Sequence, residues 1–242
     1  MSALTTLSRG DVINIRRDSL MQFLLVYPLL LGLLMRWLIP WVTAGLVDTF
    51  DLTPYYLFIA SFFGLIIMPD LAGSLIGLLL LDERDENTLT ALLVTPMPIT
   101  TYVLYRAIAP TLISLVGILV LVPLIGIEVP PMGALVVVAL SASLGAPIFT
   151  LLLASLAKNK VEGVAVMKGM GVLLLAPMIA WFVPEPWQWL LGVFPTFWSA
   201  KAYWLAATGE SYLWVALVGG VYAAGIVWLL LRRFQSGLYK SM

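Results

Sequence analysis

The sequence predicts an all-α integral membrane protein with six transmembrane helices. Three observations carry this. Of its 242 residues, 62% are hydrophobic and only 11% are charged, where a soluble domain is about half apolar and about a quarter charged. The mean hydropathy is +1.03. Six continuous apolar stretches reach the roughly 20 residues that a helix needs to cross a bilayer. They fall at about 20–45, 56–81, 101–126, 132–157, 163–183 and 211–231. Each run is continuous and not alternating, so helices are expected and a barrel is not.

Composition excludes several kinds of function. Lysine plus arginine balances aspartate plus glutamate, 13 against 13, so nothing argues for nucleic acid as a partner. There is no cysteine and no histidine. Disulfides and thiolate chemistry are absent, and so is the commonest metal ligand and general base. The first apolar run starts only near Leu20, after a charged leader, and lacks a small-residue cleavage site. It reads as a retained span and not as a signal peptide.

Residues 1–19 form a leader and 20–242 the six-span domain. Leu4, Leu7, Val12 and Ile15 lie among charged residues in the leader. They predict a short helix on the inner membrane surface, with a frayed terminus as the alternative. Arg9, Arg16, Arg17, Arg84, Arg106, Lys158, Lys160, Lys168, Arg232, Arg233 and Lys240 gather at one end of the spans. Only Arg36 and Lys201 fall at the other. The positive-inside rule therefore puts both termini in the cytoplasm. The outer end carries Trp37, Trp41, Trp187, Trp189, Trp198 and Trp204, the composition of an interfacial belt. Arg36 sits about 24 Å along a helix from Leu20, where it can snorkel to the outer surface; Lys168, near the inner end of its span, can do the same.

Residues 184–210 are apolar but interrupted by Pro184, Pro186 and Pro195. Two short helices dipping into the outer leaflet and hinged at Pro195 are expected. The loop 82–99 is the most unusual stretch. Four acids and Arg84 occupy Asp82 to Glu86. Leu89, Leu92 and Leu93 then share one face of a predicted short helix from Asn87 to Val94. Thr95 precedes Pro96 and leaves the helical region, and Pro98 repeats the stop. The result is an elbow between spans 2 and 3. It either caps two helices or docks a cytoplasmic partner.

Asp70 follows Pro69 inside the second span. A charge at that depth costs about 2.5–3.5 kcal/mol on insertion scales. Two readings stay open: a contact in a translocation path, or a satisfier of amides that Pro69 sets free. Gly73 and Gly77 form a G-x-x-x-G that permits close helix contact, within one subunit or between two.

ERDENTLTALLVTP at 83–96, between the second and third of six spans, resembles the coupling loop of type-2 ABC exporter permeases. The matching residues are Glu83, Arg84, Glu86, Thr88, Leu89, Leu92, Leu93, Thr95 and Pro96. Asn87 departs from the family's glycine. IRRDSLMQFLLVYPLLLGLL at 15–34 is similar to the way that family begins its first span, and 184–210 to its re-entrant helices. The resemblance implies a paired permease, formed with a second copy or a sister chain. It implies an elbow docked on a cytoplasmic ABC ATPase present in two copies, and a location in the inner (cytoplasmic) membrane. ATP-Mg would be held by that ATPase, with no cofactor in this chain, which has no G-x-x-x-x-G-K-[ST] phosphate loop. The cargo implied is a drug, a lipid or another amphipathic molecule. An ion- or proton-coupled carrier working through Asp70 is the alternative, weakened by the lack of an internal repeat. An intramembrane enzyme would need a second central acid or a histidine, and neither is present.

Overall fold

The computed structural model describes residues 3–86 and 99–240, and every regular element among them is helical. The N-terminal helix Ala3–Arg17 is followed directly by the long helix Ser19–Leu46. Six helical stretches are long and apolar enough to cross a membrane: Ser19–Leu46, Thr53–Asp85, Thr100–Ile125, Met132–Leu156, Lys160–Phe182 and Leu213–Phe234. They match the six expected runs to within a few residues. Large apolar side chains cover the outside of the bundle, among them Leu30, Leu34, Trp37, Leu217 and Val221. A surface of that kind is stable against lipid and not against water.

An even number of spans returns both termini to one end of the bundle, here termed the near end. The second span is the centre. Of its apolar window 83% is buried, against 33% in the first, third and fifth spans and 22% in the sixth. Small residues allow this. A Cβ on Gly73 would lie 2.4 Å from the Ala146 carbonyl oxygen, and one on Gly77 would lie 2.7 Å from a Leu153 methyl. The G-x-x-x-G therefore packs the second span against the fourth within one subunit. The Thr150 hydroxyl crosses the same contact and donates to the Gly73 carbonyl at 3.0 Å.

Three spans are not straight. Pro69 has no amide hydrogen, and its ring would collide with the carbonyl four residues back. The second span accommodates this with a π turn at Phe62–Ile66 just before the helix Ile67–Asp85. The fourth span breaks between Ser143 and Ala146, beside Pro69. The fifth tightens to a 3-10 turn at Gly171–Leu174. Residues 184–210 form a 3-10 turn, Trp187–Val193, and a helix, Pro195–Thr208, that begins on Pro195. Gly209, at φ +78°, stops that helix in the left-handed region.

Candidate functional site

Three of the nine residues matched to the coupling loop, Glu83, Arg84 and Glu86, lie within the described structure. The predicted helix Asn87–Val94, with Thr88, Leu89, Leu92, Leu93, Thr95 and Pro96, lies outside the described residues. What is described is the pair of stems that hold this loop.

The stems are joined by a buried cluster of charges. Arg106, 1% exposed, lies about two turns into the third span. Its Nη1 donates to both carboxylate oxygens of Asp11 at 3.0 Å. Its Nη2 pairs with Glu83 on the second span. Tyr105 donates to Asp11 at 2.7 Å and Tyr102 to Glu83 at 2.5 Å. Both rings lie 5.4 Å from the guanidinium carbon. Each carboxylate thus receives one guanidinium and one phenol. A planar fork is suited to bridging two acids in this way.

Sequence reasoning counted Arg106 only as an inner-end charge and did not single out Asp11. A signal was present: Leu7, Asp11 and Ile15 are spaced by four and share one face of the N-terminal helix. Leu7 is buried and Ile15 half-buried, so that face docks on the bundle and takes the acid with it.

The neighbouring charges are also turned inward. Arg84 donates to the Ala154 and Ala157 carbonyls at 2.9 Å each, occupying carbonyls that the end of the fourth span leaves free. Lys160 bridges Asp18 at 2.5 Å and Asp82 at 2.7 Å, and its amide donates to Asp85 at 3.1 Å. Glu86 remains exposed. The acidic run is therefore largely a clasp that ties the first five spans and the N-terminal helix together at the near end. Glu83 and Arg84 both spend their charged groups on bonds within the chain.

Asp18 also caps the first span, accepting the Met21 amide at 3.0 Å. The hydrogen bond from Lys160 holds its carboxyl below the ordinary value of 3.8. A lowered pKa adds stability above the unfolded value and loses it as pH falls through the folded one. Wild type should therefore exceed Asp18→Asn in thermal stability at neutral pH. The gap should close only once the pH drops below 3.8, as a melting series in detergent will record. Asparagine keeps the cap, so the difference reports the charge.

Asp70 lies in the first turn of the helix Ile67–Asp85. Its Oδ1 is buried with no hydrogen-bond partner, and so is the Ser74 Oγ one turn further on. Lys168 is exposed and makes no ion pair among the described residues.

At the other, far end Arg36 is exposed and donates to the Leu124 carbonyl at 3.0 Å, where the third span ends. The expected aromatic belt is corrected in part. Trp37, Trp41 and Trp187 are exposed. Trp204 is buried and donates to Ser61 at 2.8 Å, and Trp198 donates to the Gly192 carbonyl at 2.8 Å. Trp189 stacks among Phe197, Trp198 and Trp214. Trp204 and Trp198 thus found partners for their polar edge inside the fold. Lys201, the second cation at this end, is 8% exposed and paired with Glu185. No group of three or more acids among the described residues is placed to hold a metal.

Six apolar helices with lipid-compatible faces and a charged near end are the make-up of a multi-pass membrane protein. The profile of the family "Fluoroquinolones export permease protein Rv2686c-like" matches residues 11–231. Two relatives carry the name fluoroquinolones export permease protein: Rv2686c of Mycobacterium tuberculosis strain ATCC 25618 / H37Rv, and MT2760 of strain CDC 1551 / Oshkosh. Each is 35% identical over 239 residues, covering 97% of this chain and 94% of its own. The chain belongs to the Rv2686c-like export permease family, which agrees with the resemblance to ABC exporter permeases seen in its sequence.

Proposed function

We propose that this chain is the membrane-spanning subunit of an ATP-driven ABC exporter whose cargo is a fluoroquinolone-like drug or a similar amphipathic molecule. Two permeases, identical or sister chains, form the path. Two copies of a separate ABC ATPase hold ATP-Mg and engage the 82–99 elbow of each permease. Both termini face the cytoplasm across the inner membrane. The N-terminal helix lies along the inner surface, and residues 184–210 re-enter from the outer side.

The observation that carries this reading is the clasp. Glu83 and Arg106 sit on the two stems of the elbow and are bonded to one another. A displacement of the loop between them is passed to both spans together, and through Asp11 to the N-terminal helix. A loop free of its stems would move alone. The role of Glu83 and Arg84 is positional in this scheme. Glu86, Thr88, Leu89, Leu92, Leu93, Thr95 and Pro96 supply the docking surface.

Purification from native membranes in mild detergent tests the reading. A phosphate-loop ATPase should copurify in stoichiometric amount, and Leu89→Asp should release it, since a carboxylate buried in an apolar contact leaves an unpaired charge. A fully active permease that purifies alone removes the proposal.

A second reading is favoured by the unpartnered, buried Oδ1 of Asp70: an ion- or proton-coupled carrier. It expects transport by this chain alone, driven by a gradient and abolished by Asp70→Asn.

A further inference from the structure

A pocket of about 350 Å³ opens at the far end and takes no part in the clasp or the elbow. Trp181, Glu185, Gln188, Lys201, Trp204 and Glu210 line it, all from one chain. It is built where the end of the fifth span meets the Trp187–Val193 turn and the helix Pro195–Thr208. Its size falls in the range of small-molecule sites, roughly 300–1,000 Å³.

Its walls are aromatic and fixed. Trp181 and Trp204 meet edge to face at 5.0 Å. The Trp204 indole is anchored on Ser61, so this wall does not depend on a ligand. Its polar groups are mostly acceptors. Glu185 is more than half exposed at the rim, and Glu210 is exposed beside it. Gln188 is 8% exposed, and its Oε1 is buried without any donor. The amide nitrogen of the same side chain is directed at the Val183 carbonyl, 3.5 Å away. A buried acceptor with no donor is costly and calls for one. The pocket's cation, Lys201, is already engaged by Glu185 and lies 5.6 Å from the Trp189 ring. Two carboxylates against one ammonium leave one negative charge unbalanced.

We propose that this pocket binds a flat aromatic amine in its protonated form. The ring lies against Trp181 and Trp204. The ammonium donates to Glu210 and Glu185 at the rim, and the indoles add cation–π attraction. An anion of the same shape is repelled by the rim. Under the export reading, on which only this last step rests, the pocket holds cargo at the far end before release. Binding itself needs neither an ATPase nor nucleotide.

The test uses the full chain in lipid nanodiscs, without nucleotide, and measures equilibrium binding of two probes. One is a fluoroquinolone bearing a free secondary amine. The other is its N-acetyl derivative, which keeps the rings and loses the positive charge. The charged probe should bind about tenfold or more tightly than the acetylated one, the usual worth of a charge-assisted hydrogen bond. Glu210→Gln, a change at an exposed side chain, should bring the charged probe down toward the acetylated level. Glu128→Gln, an exposed far-end acid outside the pocket, should change nothing. The proposal is overturned if the two probes bind alike, if neither binds, or if Glu210→Gln and Glu185→Gln both match wild type while Asp70→Asn abolishes binding. Copurification of the ATPase judges the export reading separately, so the two can fail independently.

Discussion

Arg106→Ala should be the most damaging single substitution in the chain, lowering stability by about 3–5 kcal/mol and abolishing export. The arginine is 1% exposed, and it is the cation that both Asp11 and Glu83 face. Its removal leaves two carboxylates within the packed near end that keep their tyrosine hydroxyls but lose their cation. Two acids stripped of their counter-charge repel each other and have lost their water. Arg106→Lys should fall between the two, because a single ammonium cannot supply the fork that spans both acids. Thermal unfolding in detergent and export from cells are the two readouts.

The neutral triple variant Asp11→Asn, Glu83→Gln, Arg106→Met separates structure from coupling. Replacing a buried ionic set with neutral groups of similar size often restores stability. The triple variant should melt near wild type. Export should stay reduced, because the bonded link between the stems and the N-terminal helix is gone. Full export in a stable triple variant would show that the clasp only holds the fold.

Gly73→Ala is expected to have the second-largest effect. Its new Cβ would stand 2.4 Å from a backbone oxygen and 2.6 Å from the Phe149 Cβ, neither of which can rotate away. The second and fourth spans must separate, and the Thr150 bond to the Gly73 carbonyl lengthens with them. Overpacking of this kind costs about 1–3 kcal/mol. The contact lies at the middle of the most buried span, so the cost belongs at the upper part of that range. Gly225→Ala in the sixth span, where nothing lies within 4 Å of the added carbon, is the control and should melt with wild type.

Much of the molecule could be read from the chain alone. The six spans were, because each needs only its own run of apolar residues, and a helix in lipid satisfies its backbone within itself. Pro195 marked the start of its helix, since a proline at the first helical position is a local rule. The gathering of arginine and lysine at one end followed from counting.

What the chain alone left open is which groups meet. Asp11 and Arg106 are separated by 95 positions and Arg84 and Ala157 by 73. No local pattern pairs them. The acidic run at Asp82–Glu86 opened an elbow that either capped two helices or docked a partner. That its charges also form a clasp was visible only once five helices brought Lys160, Arg106 and the fourth span's free carbonyls within reach. The G-x-x-x-G of the second span was equally consistent with a contact inside the subunit or between subunits; the packing of Ala146, Phe149 and Leu153 against it decided for the first. Trp204 looked like an interfacial residue by type. Folding buried it, because Ser61 arrived from a distant segment to satisfy its indole nitrogen. Hydropathy and helix geometry act along the chain and are written in its order. Charge pairing and close packing act across it, and only the assembled bundle determines them.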